Sequence, residues 1–186
     1  AIVVAGSEPS TMRTLFSDQA QPFFAQADLV DIGPLTDIEV ADIVVAGFER
    51  TGRDAGDVVD RIIRFARGHP QRMMQLADAA WRVTEPGARA DLDTWERALS
   101  GVRASVDSGS ERLFALLATG HQKTLRAIVG GGSPFGTAAD VLDLPAGTAT
   151  GAIRALTDLG YLTRVGDTLL VVDPLFADWI RRRFPF

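Results

Sequence analysis

The apolar positions of this 186-residue chain follow one period up to residue 35 and another beyond it. "AIVVAGS" is a continuous apolar run rich in β-branched residues ending at Gly6 and Ser7, the pattern of a strand buried on both faces. "ADLVDI" (27–32) repeats that pattern before Gly33-Pro34. Between them "SEPSTMRTLFSD" puts Met12, Leu15 and Phe16 on one face of a short helix. Strand, crossover helix and strand make a βαβ unit, so residues 1–35 read as an α/β remnant. From residue 36 the spacing turns helical. Thr36 with Glu39 is a capping box, opening a helix faced by Ile43, Val44, Gly47 and Phe48. Val58, Val59, Ile62, Ile63 and Ala66 predict a second helix, closed by Gly68. Pro70 suits the first turn of a third, which carries Met73, Met74, Leu76, Ala77, Ala80 and Trp81. A fourth follows with Leu92, Trp95, Leu99 and Val102. Residues 36–105 are expected to form a helical bundle.

"VDSGS" (106–110) reads as an internal boundary, with a short helix at "ERLFALL" beyond it. Thr119 and Gln122 suggest a second capping box, ahead of Leu125, Ile128 and Val129. "GGGSPFG" breaks that helix. "TAADVLDL" is a short helix, and "PAGTATGAIRALTDLGYL" a longer one with Ile153, Leu156 and Leu159 facing inwards. Gly166-Asp167 between two short apolar runs signals a hairpin. Asp173 and Pro174 cap and open a last helix, "DPLFADWIRRRF". Helix, short helix, longer helix and hairpin is the order of a winged helix-turn-helix. The expected fold class is therefore mainly α: an α/β remnant (1–35), a helical bundle (36–105) and a winged-helix domain (106–186).

Composition narrows the chemistry. The chain is 46% apolar and 23% charged, ordinary for a globular protein. No apolar run reaches the roughly 18 residues of a membrane span, so a membrane partner is not expected and the cytoplasm is the default. Cysteine is absent, which excludes disulfides and thiol-based catalytic or metal sites. The two histidines, His69 and His121, are too few for a His-rich metal site. Of 19 basic residues only Lys123 is a lysine. Gln122 precedes it and Thr124 follows, so it cannot belong to the G-x-x-x-x-G-K-[ST] phosphate loop. Residues 1–104 carry 16 acids and 11 bases; residues 105–186 carry 8 of each. Neither half has the basic excess of a dominant nucleic-acid binder. Trp81, Trp95 and Trp179 read as core anchors, and no Ser-His-Asp constellation is present.

In their order, these pieces resemble the carboxyl-terminal portion of a STAND-type AAA+ ATPase, most nearly the archaeal-type ATPase family; the Orc-type initiators share the layout. "IVVAGS" is similar to the strand bearing the sensor-1 residue, "ADLVDIGPLTDIEVADIV" to the last sheet strand leading into a helical lid, and "ARGHPQRMMQLA" to the sensor-2 segment. "GTATGAIRALTDLGYLTRVGDTLLVVDPLFADWIRRRF" is similar to the family's winged helix and final helix. The resemblance implies that the phosphate loop and Walker B strand precede residue 1, so that the chain is a fragment of a longer protein. The place where family members often carry an arginine that reaches a neighbour's nucleotide reads "FFAQAD", without one.

The resemblance also implies roles. Ser7 would be the sensor-1 group. Gly68 would let the backbone turn beside a nucleotide, with His69 and Pro70 near the base and Arg72, one turn into its helix, directed at phosphate. Read without it, Gly68 and Pro70 are helix punctuation. In a winged helix Thr148, Thr150 and Arg154 would face a DNA major groove, and Arg164 on the wing would face the backbone. The plainer reading is a winged helix packed on other domains. Arg181, Arg182 and Arg183 suit a helix carboxyl end. ATP or ADP with Mg belongs to the full-length protein; none is expected in the fragment, nor is ATPase activity. Expected partners are DNA, a protein, or the protein's own nucleotide-binding domain. The competing expectation is a non-enzymatic winged-helix transcription regulator with a helical dimerisation or ligand domain.

Overall fold

The computed structural model describes residues 3–6, 9–30 and 32–185. It divides into two units, Ala1–Gly33 and Pro34–Phe186. In the first, α1 (Pro9–Ser17) is followed by a run of turns. The rings of Phe16 and Phe23 lie 6.2 Å apart, and the Ala25 N–H donates to the Phe16 carbonyl at 2.9 Å. The two strands expected here do not form among the described residues. Residues 3–6 and 28–30 have no strand pairing, and Val3, Val30 and Ile32 stand largely exposed. Two short segments without further neighbours cannot satisfy a ladder or bury an apolar face. Residues 1, 2 and 31 of those segments lie outside the described residues.

The second unit is mainly helical. It runs α2 (Asp37–Glu49), α3 (Val58–Ala66), α4 (Pro70–Val83), α5 (Leu92–Ala115), α6 (Thr119–Val129), α7 (Thr137–Val141), α8 (Ala146–Asp158), β1 (Leu162–Val165), β2 (Thr168–Val171) and α9 (Pro174–Arg183). The Thr36–Glu39 capping box forms: Thr36 N–H donates to Glu39 Oε2 at 2.8 Å, and Glu39 N–H donates to Thr36 Oγ1 at 3.3 Å. β1 and β2 pair antiparallel, Leu162 opposite Val171 and Val165 opposite Thr168. Gly166 takes φ +58° in the two-residue turn between them, a conformation open to glycine at little cost. From α6 to β2 the chain forms three helices and then a two-stranded hairpin.

Two larger cores fill the unit. One joins α2–α5 through Val44, Phe48, Ile62, Leu76 and Trp95, and takes Leu175 from α9. The other gathers Phe114, Leu125, Leu156 and Leu162 around Phe176, Trp179 and Ile180 of α9. A smaller cluster of Ala127, Ala139, Leu142, Leu144 and Ala149 seats α7 and α8 on α6.

Three expectations about this unit need correction. "VDSGS" is not a break, since α5 is one 24-residue helix running straight through it. Val102, Ser110 and Phe114 keep the inward register on both sides. Asp107 accepts a hydrogen bond from Trp179 Nε1 at 3.0 Å. Tertiary contacts on one face outweigh the poor helix propensity of Ser and Gly. Thr119 does not cap α6; Ala118 holds that position without a side-chain bond. Gln122 instead donates to the carbonyls of Phe114 and Leu117 at 3.0 and 2.9 Å, closing the end of α5. Leu159 is exposed rather than inward, because α8 stops at Asp158 and Leu159 caps it.

A Cβ added at Gly109 would meet nothing within 4 Å, and the residue is helical and exposed. Gly109→Ala is therefore expected to stabilise the protein by about 1 kcal/mol, read as a higher urea midpoint. A neutral or destabilising result would mean that α5 is not continuous in solution.

Candidate functional site

The stretch "RGHPQR" (67–72) forms the joint between α3 and α4. Arg67 ends α3 at φ +50°, and its N–H donates to the Ile63 carbonyl. Gly68 follows at φ +73°. A side chain there would be strained, and its Cβ would run into the Leu35 carbonyl and Pro34. That tight approach lets Leu35 N–H donate to the Gly68 carbonyl at 2.9 Å, tying the entry of α2 to this joint. His69 caps α4 by accepting from Arg72 N–H at Nδ1, and Pro70 opens the helix. The punctuation read from the sequence is what the backbone does.

The two arginines that bound the stretch do more. Arg67 reaches the β2–α9 connection and donates from Nη2 to the Val171 carbonyl at 3.1 Å. Burial lowers its pKa, and the neighbouring positive charge of Arg181 lowers it further. Arg72 holds Asp173, two residues beyond Val171, through a two-point contact: Nε to Oδ1 at 3.0 Å and Nη2 to Oδ2 at 2.5 Å. Its Nη1 donates to Gln75 Oε1 at 2.8 Å. The Asp173 carboxylate also caps α9, accepting from Leu175 N–H at 2.9 Å and Phe176 N–H at 3.3 Å. One carboxylate thus serves a helix end and an arginine fork. Geometry of this kind suits a planar oxyanion.

A second acid fixes the same helix. Asp178 lies buried between α9 and α5. Arg103 donates to it from Nε at 2.9 Å and from Nη2 at 2.7 Å, and Arg182 donates from Nε at 2.9 Å. Burial opposes its ionisation. The hydrogen bonds and positive charges of Arg103 and Arg182 outweigh burial and hold the carboxyl below its ordinary value.

The other sequence candidates lie elsewhere. Thr148, Thr150 and Arg154 on α8 and Arg164 on β1 are all exposed. Thr150 Oγ1 donates back to the Ala146 carbonyl at 2.9 Å. Among the described residues neither Arg154 nor Arg164 pairs with a carboxylate. Ser7 lies outside the described residues. The sequence marked Asp173 only as a helix cap and missed Arg67, Arg103 and Asp178. The Asp178–Arg182 spacing of four residues was a local signal, whereas Val171 and Arg103 lie too far along the chain from Arg67 and Asp178 for any local pattern to find. A separate groove of about 360 Å³ between α2 and α4 is lined by Ile43, Phe48, Met74 and Trp81. Arg53 lies 4.5 Å over the Trp81 ring. Arg72 does not line that groove, whose walls also carry Arg50, Thr51 and Asp78. No helix among the described residues is long and apolar enough to cross a membrane.

No protein-family description matches the chain, and no curated protein does. Among solved structures, the Walker-type ATPase PABY2304 of Pyrococcus abyssi matches 95% of this chain with a TM-score of 0.69 at 16% sequence identity. The chain spans about half of that protein's length, 51%. At this identity the likeness is one of fold.

Because the folded pKa of Asp178 is depressed, its contribution to stability is present above the unfolded value and lost as pH falls through the lower folded one. Asp178→Asn is expected to lower stability at pH 7 and to flatten the acid limb of the stability–pH curve below about pH 4, the ordinary carboxylate value. Urea melts across that range would check it. An unchanged slope would remove Asp178 as an acid-sensitive group.

Proposed function

We propose that this chain is the carboxyl-terminal part of a P-loop ATPase of the AAA+/STAND kind. The observation that carries the reading is the fold likeness to half of a Walker-type ATPase over 95% of the chain. It agrees with the lack of a phosphate loop around the lone lysine. In this reading α2–α4 with the first half of α5 form the lid and the elements from α6 onwards a winged helix, with α5 continuous between them. ATP with Mg is held chiefly by a loop and an acidic strand outside this chain. The bound nucleotide would supply the phosphate chemistry. The contribution of this chain is to bind and orient: Gly68 permits close backbone approach, and His69 and Pro70 set the start of α4. Arg72 offers a fork that already accommodates a carboxylate. The lid and winged helix then relay nucleotide state to a DNA or protein partner.

The 186-residue chain alone should release no phosphate from Mg-ATP above buffer. A protein that includes the coding sequence upstream of residue 1 should contain G-x-x-x-x-G-K-[ST] and bind ATP, with Arg72→Ala weakening binding about tenfold, the order of a lost charge-assisted contact. Robust turnover by the chain alone, or a start codon immediately before the codon for Ala1, would overturn the reading.

Exposure of Thr148, Thr150, Arg154 and Arg164 favours a second reading, a winged-helix regulator bound to DNA. Its test is a gel-shift series over increasing salt with native protein and Arg154→Ala. Groove binding predicts weaker binding by the variant, about 1–3 kcal/mol for a base contact. Binding that ignores the substitution counts against it.

A further inference from the structure

The Arg72–Asp173 contact raises a question that helix capping does not answer. Asp173 needs no arginine to cap α9, since its Oδ1 already accepts from Leu175 and Phe176 N–H. Arg72 needs no aspartate to keep α4, which His69 caps. Yet both point at one another from positions 101 residues apart. The side chains stay 18% and 30% exposed, so an anion can approach from solvent. The joint also holds the Arg67 guanidinium, with Arg181 adding positive charge. One carboxylate, Asp173, occupies the arginine edge.

We propose that Asp173 is an internal competitor for an oxyanion site at Arg72: a phosphate group and the Asp173 carboxylate take the same guanidinium edge in turn. The contact is autoinhibitory, and its release frees the start of α9 from α4. This rests on the reading of Arg72 as a phosphate-facing group. It adds that occupancy is coupled to α9, a helix set in both larger cores. The coupling is reciprocal: whatever loosens α9 from α4 raises anion affinity, because the binding-competent fraction multiplies the apparent affinity. The ligand class is the phosphate chain of a nucleoside diphosphate or triphosphate, or free pyrophosphate, which presents the same oxygens.

The test is calorimetric titration of the 186-residue chain with inorganic pyrophosphate and, separately, with ADP. Native protein is compared with Asp173→Asn and with the double variant Asp173→Asn/Arg72→Lys. Asparagine is as good a helix cap as aspartate, so α9 should remain folded, checked by thermal melting. Asp173→Asn should bind pyrophosphate about tenfold more tightly than native, and replacing the fork with a lysine should abolish most of that gain. A similar gain with ADP marks a phosphate site indifferent to the nucleoside. A larger gain with ADP marks a nucleotide site. Equal affinity in native and Asp173→Asn proteins, including no measurable binding by either, overturns the proposal, as does a gain that survives Arg72→Lys. These outcomes are separable from the ATPase reading. A gain in this chain would stand even if no phosphate loop lies upstream, and its absence would leave ATP binding by a longer protein intact.

Discussion

Helix α9 is held in place by two aspartates, and the rest of the second unit is arranged around that fact. Asp173 takes the fork of Arg72 from α4, and Asp178 takes that of Arg103 from α5. Asp178 is buried, and a buried carboxylate is tolerated only when paired and hydrogen-bonded; Asp173 stays partly exposed, and its pair gives direction more than stability. The two pairs therefore restrict where α9 can lie. Between them the helix delivers Leu175 to one core and Phe176, Trp179 and Ile180 to the other. The hydrophobic burial supplies most of the stabilisation, and the charge pairs supply direction.

Helix α5 is the second element that spans both cores, with Trp95, Leu99 and Val102 at one end and Phe114 at the other. Trp179 Nε1 on Asp107 fastens it to α9 beside its least helix-prone stretch. With α5 and α9 crossing both cores, residues 34–186 cannot divide at residue 106 without exposing apolar surface from each. Two helical modules joined in this way would pass on a displacement at one side as a rigid element rather than through a flexible linker. The small joint at residues 67–72 touches the start of α9. Its two arginines act on Val171 and Asp173, two residues apart, immediately before α9.

The likeness to half of a Walker-type ATPase at 16% identity is what shared packing with little shared sequence looks like. Helix order and the position of the cores persist when volume and patterning are kept. Function does not follow from a fold alone; what the joint adds to the likeness is an arginine fork already holding a carboxylate. The exposed face of α8 offers two threonines and one arginine, on a half of the chain that bears equal numbers of acids and bases. That is a modest electrostatic footprint for DNA and a reasonable one for a protein surface.

Local rules made much of the fold legible. The Thr36–Glu39 box, Gly68 before Pro70 and Asp173 before Pro174 each placed a helix end correctly, because capping involves atoms within three or four residues. Helical periodicity likewise marked Val44, Phe48, Ile62, Leu76 and Leu156 as core positions. Failures occurred where distant atoms decide. "VDSGS" has the composition of a linker and is helical because Trp179, 72 residues on, and two cores hold it so. "AIVVAGS" and "ADLVDI" have the pattern of strands, but pattern alone supplies no ladder partner. Arg72 was legible only as an arginine one turn into α4, directed at phosphate by the resemblance, and not as the partner of Asp173. By itself the sequence determined where chains of local hydrogen bonds begin and end and which faces are apolar. Only the tertiary structure decided which charge meets which, since an ion pair between residues 101 apart leaves no periodic trace.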